Sequence, residues 1–210
     1  MSDPSIVVAR PAHPSQLVLL FHGVGSSAAN LAPLGESIAQ ARPGAAVVSV
    51  DAPRASTLGS GREWFSVVGV TEQNRPQRVA DAMPLFLQSI ARWQEATGVG
   101  AEATALVGFS QGAILALEST QVDGGPAAGR VIALAGRFAA PVRRAPGGVH
   151  FHLIHGEEDQ VVPTRSSVEA AQALQALGAR CTLDLLPRLG HGIDARALRL
   201  VLGYLGSAGG

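Results

Sequence analysis

A serine bracketed by glycines, Gly108-Phe109-Ser110-Gln111-Gly112, is the stretch whose residue types most clearly suggest chemistry. An apolar, Val-containing run precedes it and a helix-forming run, Gln111 to Gln121, follows. G-x-S-x-G between strand and helix is a nucleophile elbow, with the serine at the apex of a strained turn. The glycines on either side allow the strand and helix to pass close by. Such a hydroxyl is a weak nucleophile without a base. Of six histidines, His191 in Leu189-Gly190-His191-Gly192 is the expected base, because its loop follows the last predicted strand and precedes the final helix. That places it at the same sheet edge as Ser110. His150 and His152 lie in or beside a strand and are expected to be structural, while His22 and His155 precede glycines at strand ends and can shape loops.

The base needs a carboxylate to fix its tautomer and stabilise the imidazolium. Leu153 to Pro163, LIHGEEDQVVP, offers Glu157, Glu158 and Asp159. Asp159 is expected to reach His191, with both glutamates facing solvent. An oxyanion formed at Ser110 needs backbone N–H donors. Gln111 follows the nucleophile and supplies one. The loop His22-Gly23-Val24-Gly25 supplies the other through Val24. That loop has neither the Lys-Ser/Thr pair of a P-loop nor the spacing of a dinucleotide fingerprint.

These residues must be held by strands and helices in alternation. Short apolar runs at Leu17–Phe21, Ala46–Val50, Thr104–Val107, Arg130–Leu134, Phe151–Ile154 and Cys181–Leu186 read as buried strands, with an earlier one near Ile6–Ala9. Helical patterns cover Ala28–Ala41, Arg75–Thr97, Gln111–Gln121, Arg165–Leu177 and Ile193–Leu205, and Gly206 to Gly210 reads as a frayed tail. The alternation predicts an α/β fold, a mostly parallel central sheet with helices on both faces. With no linker or repeat, 210 residues are read as one domain, residues 1–210. The connection from the Arg130–Leu134 strand to the next is too short for a large lid.

Apolar residues make up 47% of the chain and charged residues 15%, so a packed core is expected. Sixteen acids balance sixteen arginines, which gives no reason to expect nucleic acid or an anionic membrane as partner. No secretory leader or membrane-spanning run is read, and the one cysteine, Cys181, excludes an intrachain disulfide. A cytoplasmic monomer or homodimer without stable membrane insertion is expected, and Cys181 is read as a buried structural residue.

Several separated pieces together resemble the phospholipase/carboxylesterase family of α/β-hydrolases, which includes acyl-protein thioesterases and small bacterial carboxylesterases. They are Leu20-Phe21-His22-Gly23-Val24-Gly25, Arg62-Glu63-Trp64-Phe65-Ser66-Val67, Gly108 to Ala113, His155-Gly156 with Asp159 and Val162-Pro163, and Gly190-His191. The order Ser110, Asp159, His191 is also the α/β-hydrolase order. The resemblance implies these three as the triad and Val24 and Gln111 as oxyanion donors. It also implies Trp64 and Phe65 as an aromatic pair near an acyl pocket, which core packing would equally explain. Ser66 stands where acyl-protein thioesterases typically carry Asp. The implied activity is hydrolysis of small-molecule carboxylic esters, or thioesters, with no metal or organic cofactor. Lysophospholipase or acyl-protein thioesterase action shares the chemistry. A non-catalytic ligand-binding protein on the same scaffold is the alternative from another class.

Overall fold

A computed structural model describes residues 4–206. Among the described residues there are nine strands and five α-helices; seven of the strands and all five helices follow the alternation expected. The elements are β1 (Ile6–Ala9), β2 (Gln16–Phe21), α1 (Ala28–Ala41), β3 (Ala45–Val50), β4 (Arg54–Ala55), β5 (Arg62–Glu63) and α2 (Arg75–Thr97). After these come β6 (Thr104–Phe109), α3 (Gln111–Glu118), β7 (Arg130–Leu134), β8 (His150–Gly156), α4 (Arg165–Ala176), β9 (Arg180–Leu186) and α5 (Ala195–Gly206). Seven strands form one sheet in the order β1-β3-β2-β6-β7-β8-β9, parallel throughout except for β1.

Both faces are covered. On one, Val79, Met83, Phe86 and Ile90 of α2, the apolar side chains of α3, and Ala170 and Leu174 of α4 bury against the sheet. On the other, Leu31, Leu34 and Ile38 of α1 pack with Ala197, Val201 and Leu205 of α5. Strands covered on both sides are apolar at nearly every position, as in β2 (QLVLLF) and β3 (AAVVSV), where the buried Ser49 hydroxyl donates to the Ala28 carbonyl oxygen. The chain runs from β2 outward to β3 and then back across β2 to β6. The strand order therefore reverses at the β2–β6 pair, where Phe21 is in register with Gly108. A doubly wound sheet opens a crevice beyond the C-terminal ends of its strands at such a point.

Several expectations need correction. The α-helix after the elbow ends at Glu118 and continues as a 3₁₀ turn over Ser119–Gln121. The last helix begins at Ala195, two residues later than expected. The Asp194 carboxylate accepts from the N–H groups of Arg196 and Ala197 and so caps it there. Gly206 closes that helix, and residues 207–210 of the expected tail lie outside the described residues. Cys181 is only half-buried because β9 is the sheet's edge strand, although burial still pushes its thiol up to about 11. The segment between β3 and α2, which had no predicted structure, contains the β4–β5 hairpin.

Candidate active site

Ser110 sits at φ 51°, ψ −114°, between the end of β6 and the start of α3. Positive φ costs an L-residue about 1–3 kcal/mol, so the surroundings must enforce it. A Cβ at Gly108 would come within 2.5 Å of the Ala113 backbone, and one at Gly112 within 2.1 Å of the Phe21 carbonyl oxygen. Only glycine fits at either position, and the Ser110 N–H is tied to the Leu134 carbonyl of the neighbouring strand.

His191 and Asp159 come from the two loops after β9 and β8. Backbone hydrogen bonds join these loops: Glu157 N–H donates to Leu186 O, and Glu158 N–H to Leu189 O. Gly156 lets them close, because a Cβ there would meet the Leu189 carbonyl oxygen at 2.2 Å. His191 Nε2 then lies 3.0 Å from Ser110 Oγ, and His191 Nδ1 lies 2.7 Å from Asp159 Oδ2. The carboxylate is an acceptor, so Nδ1 carries the hydrogen. The Nε2 lone pair then faces the serine hydroxyl and can accept its proton. Glu157 and Glu158 are exposed, whereas Asp159 is buried.

Burial alone would raise the Asp159 pKa. Hydrogen bonds from His191 and from the amides of Val162 and Val161 outweigh it and hold the carboxyl below the usual carboxylate range. Both amides reach Oδ1, at 2.9 and 2.8 Å, leaving Oδ2 for the histidine.

The loop after β2 packs against the nucleophile: a Cβ at Gly23 would be 3.2 Å from Ser110 Cβ. His22 is fully buried, and its Nδ1 donates to the Gly23 carbonyl oxygen at 2.7 Å. Its Nε2 lies 3.1 Å from the Ala52 N–H and 3.0 Å from Asp51 Oδ1. Burial lowers the His22 pKa, against the opposing pull of the Gly23 carbonyl and of Asp51. In a trans peptide the Val24 N–H points opposite to the Gly23 carbonyl, so the bond that fixes one also fixes the other. Neither the Val24 nor the Gln111 amide is engaged with another described residue. Gln111 is the first residue of α3, where an N–H has no intrahelical partner. Two free donors beside a serine can stabilise an oxyanion.

Trp64 and Phe65 meet the site through their backbones. Gln111 Oε1 accepts from Trp64 N–H, and Gln111 Nε2 donates to Phe65 O, both at 2.7 Å. The Trp64 ring is 1% exposed, and its centroid lies 5.7 Å from that of Phe21 and 5.2 Å from that of Phe86. It packs in the core beneath the elbow and also borders an open cavity lined by Ala52, Arg62, Leu85 and Ser89.

Two further neighbours flank the triad residues. The Phe109 ring, which sequence reasoning passed over, lies 5.0 Å from the His191 ring; its position inside G-x-S-x-G was a usable signal. His155, read from the sequence as shaping its loop, approaches Asp159 Oδ2 to 3.2 Å.

Comparison with known proteins gives the family. A model of the Phospholipase/Carboxylesterase family matches residues 2–207. Esterase YpfH of Escherichia coli (strain K12) is 45% identical over 206 residues, covering 98% of this chain and 88% of that protein. The crystal structure of esterase PE8 superposes with a TM-score of 0.87 at 30% identity, covering 97% of each chain. Acyl-protein thioesterase 2 of Zea mays shares the fold alone, with TM-score 0.75, 19% identity, and 97% of this chain and 98% of that one covered. The chain therefore belongs to the phospholipase/carboxylesterase family of α/β-hydrolases.

Proposed function

We propose that this protein is a serine carboxylesterase that hydrolyses short- to medium-chain carboxylic esters through an acyl-enzyme on Ser110. One observation carries the reading: the unbroken hydrogen-bonded chain from Ser110 Oγ through His191 to Asp159 Oδ2, at 3.0 and 2.7 Å, built on a strained elbow. His191 takes the hydroxyl proton as Ser110 Oγ attacks the ester carbonyl carbon. The N–H groups of Val24 and Gln111 receive the developing oxyanion. The carbonyl re-forms as the leaving alcohol departs with the proton from His191. A water then attacks the acyl-enzyme, again giving a proton to His191. Collapse releases the carboxylic acid and returns the proton to Ser110. Asp159 keeps Nδ1 protonated throughout and stabilises the imidazolium.

The preference for shorter chains rests on what stands over the site. No helix or strand occurs between Leu134 and His150, so no cap domain is inserted there to enclose a long chain. A profile of kcat/KM against acyl length, from two to sixteen carbons, tests it. Highest values at short or medium chains are expected, and a maximum at the longest would instead favour lysophospholipase or thioesterase action.

Among the described residues no helix is long and apolar enough to cross a membrane. With a balanced charge and a single cysteine, the enzyme is assigned to the cytoplasm as a monomer or homodimer. Cell fractionation and size-exclusion chromatography test those two assignments.

A further inference from the structure

His155 lies in β8, one residue before the strand ends, and its side chain has no contact with solvent. Polar groups from three segments surround it. Nδ1 is 2.7 Å from Ser167 Oγ on α4. Nε2 is 2.9 Å from the Val162 carbonyl oxygen and 3.2 Å from Asp159 Oδ2. Both neighbours of Nε2 are acceptors, so that nitrogen carries the hydrogen. Nδ1 then accepts from the Ser167 hydroxyl, which also lies 3.2 Å from the Gly136 carbonyl oxygen beyond β7. Burial lowers the His155 pKa, more than the Val162 carbonyl and Asp159 raise it, and the ring stays neutral at neutral pH. The titratable groups acting on the ring are Asp159 and, beyond it, His191.

We propose that His155 is a positioning residue for the acid of the active site, holding the Asp159 loop closed and one side of Oδ2 occupied so that the carboxylate meets His191 in a single orientation. The inference rests on Asp159 being the orienting acid. Each carboxylate oxygen has its own neighbours. Oδ1 is held by the amides of Val161 and Val162, while Oδ2 is approached by the two histidines at 2.7 and 3.2 Å. The Nε2–H of His155 also pins the Val162 carbonyl, and so the segment whose amide holds Oδ1. One ring therefore acts on both oxygens, directly on Oδ2 and through Val162 on Oδ1. The two acceptors facing Nε2 set the tautomer this needs, and Ser167 Oγ holds the other side of the ring at Nδ1.

Removing the Nε2–H has two consequences. The carboxylate loses an orienting contact, and misplacement on the order of 1 Å can cost about 100-fold in rate. Oδ2 also turns more of its charge on His191, which stabilises the imidazolium formed as the serine proton is taken. A residue that only fills space would produce neither effect once the fold is intact.

The test compares His155→Leu, which fills the space without a donor, with His155→Gln, which retains an N–H. Both are made in the full chain and assayed on nitrophenyl butyrate from pH 5 to 9, with circular dichroism melts and Asp159→Asn in parallel. Folded His155→Leu is expected to lose about 10- to 100-fold in kcat with KM nearly unchanged. The acid limb of its pH profile should move upward by roughly half a unit or more. His155→Gln should recover much of both. If His155→Leu fails to fold, Ser167→Ala, which removes the Nδ1 partner that holds the ring in place, should give a several-fold loss and the same direction of shift. A folded His155→Leu with wild-type kcat and acid limb would overturn the proposal, as would an unchanged Ser167→Ala where the leucine variant cannot be read. Full activity in Asp159→Asn would instead overturn the assignment of Asp159 on which it stands.

Discussion

In the proposed mechanism Ser110 and His191 act only as a pair, because the hydroxyl has no other base within 3.0 Å among its hydrogen-bond partners. Ser110→Ala and His191→Ala should each lower ester hydrolysis by roughly 10⁴- to 10⁶-fold, and the double variant should be little worse than either. Additive losses, measured by steady-state kinetics on pure protein, would mean that the two serve separate steps. Asp159→Asn should lose most activity, whereas Glu157→Gln and Glu158→Gln, exposed on the same loop, should stay within about threefold of wild type. The Asp159 carboxyl is held below its ordinary 3.8. A depressed carboxyl contributes stability that is present above the unfolded-state value and is lost as pH falls through the folded-state value. Urea midpoints should therefore drop less steeply between pH 5 and pH 2 in Asp159→Asn than in wild type. Parallel curves for the two proteins would show that Asp159 carries no such linkage.

The elbow is an arrangement of two elements, β6 and α3, brought closer together than any side chain at Gly108 or Gly112 would permit. Gly112→Ala would drive a methyl into the Phe21 carbonyl, so the strand β2 or the helix must shift. Overpacking of this kind costs about 1–3 kcal/mol, which at this chain length means a Tm lower by roughly 2–12 °C. An unchanged Tm and activity in Gly112→Ala would contradict the close approach. Every strand of the main sheet and every α-helix was legible in the sequence, because burial on both faces forces nearly continuous apolar runs, four of the helices keep an amphipathic period, and α3, buried all round, follows directly from the elbow. The β4–β5 hairpin was not, since two residues per strand carry no period. The half-exposure of Cys181 was also hidden: an apolar run looks alike in a central strand and at an edge, and only strand order decides. Ser110, Asp159 and His191 could be picked out because each sits in a loop at the end of a predicted strand. His155 could not, since its partners Asp159, Val162 and Ser167 belong to a loop and a helix whose closure onto β8 is a tertiary matter.

Over the whole molecule, the core beneath the β2–β6 reversal is aromatic. Phe21, Trp64 and Phe86 form one cluster joining β2, the segment after β5 and α2. Trp64→Ala should therefore act first on stability, with a loss of about 3–5 kcal/mol. Any change in acyl-length preference should follow from the shift in Gln111, whose side chain the Trp64 and Phe65 backbones hold. A variant with normal Tm and an altered acyl profile would put the ring in the acyl pocket after all. The central claim is that the fold activates Ser110 as a nucleophile, and active-site labelling tests it most directly. The wild-type protein, Ser110→Ala and His191→Ala are incubated with a fluorophosphonate, and adducts are located by peptide mass spectrometry. The account predicts one phosphonyl group on Ser110 in the wild type, none in Ser110→Ala, and labelling slowed by several orders of magnitude in His191→Ala. An unlabelled wild type, or an adduct on another residue that persists in Ser110→Ala, would contradict it.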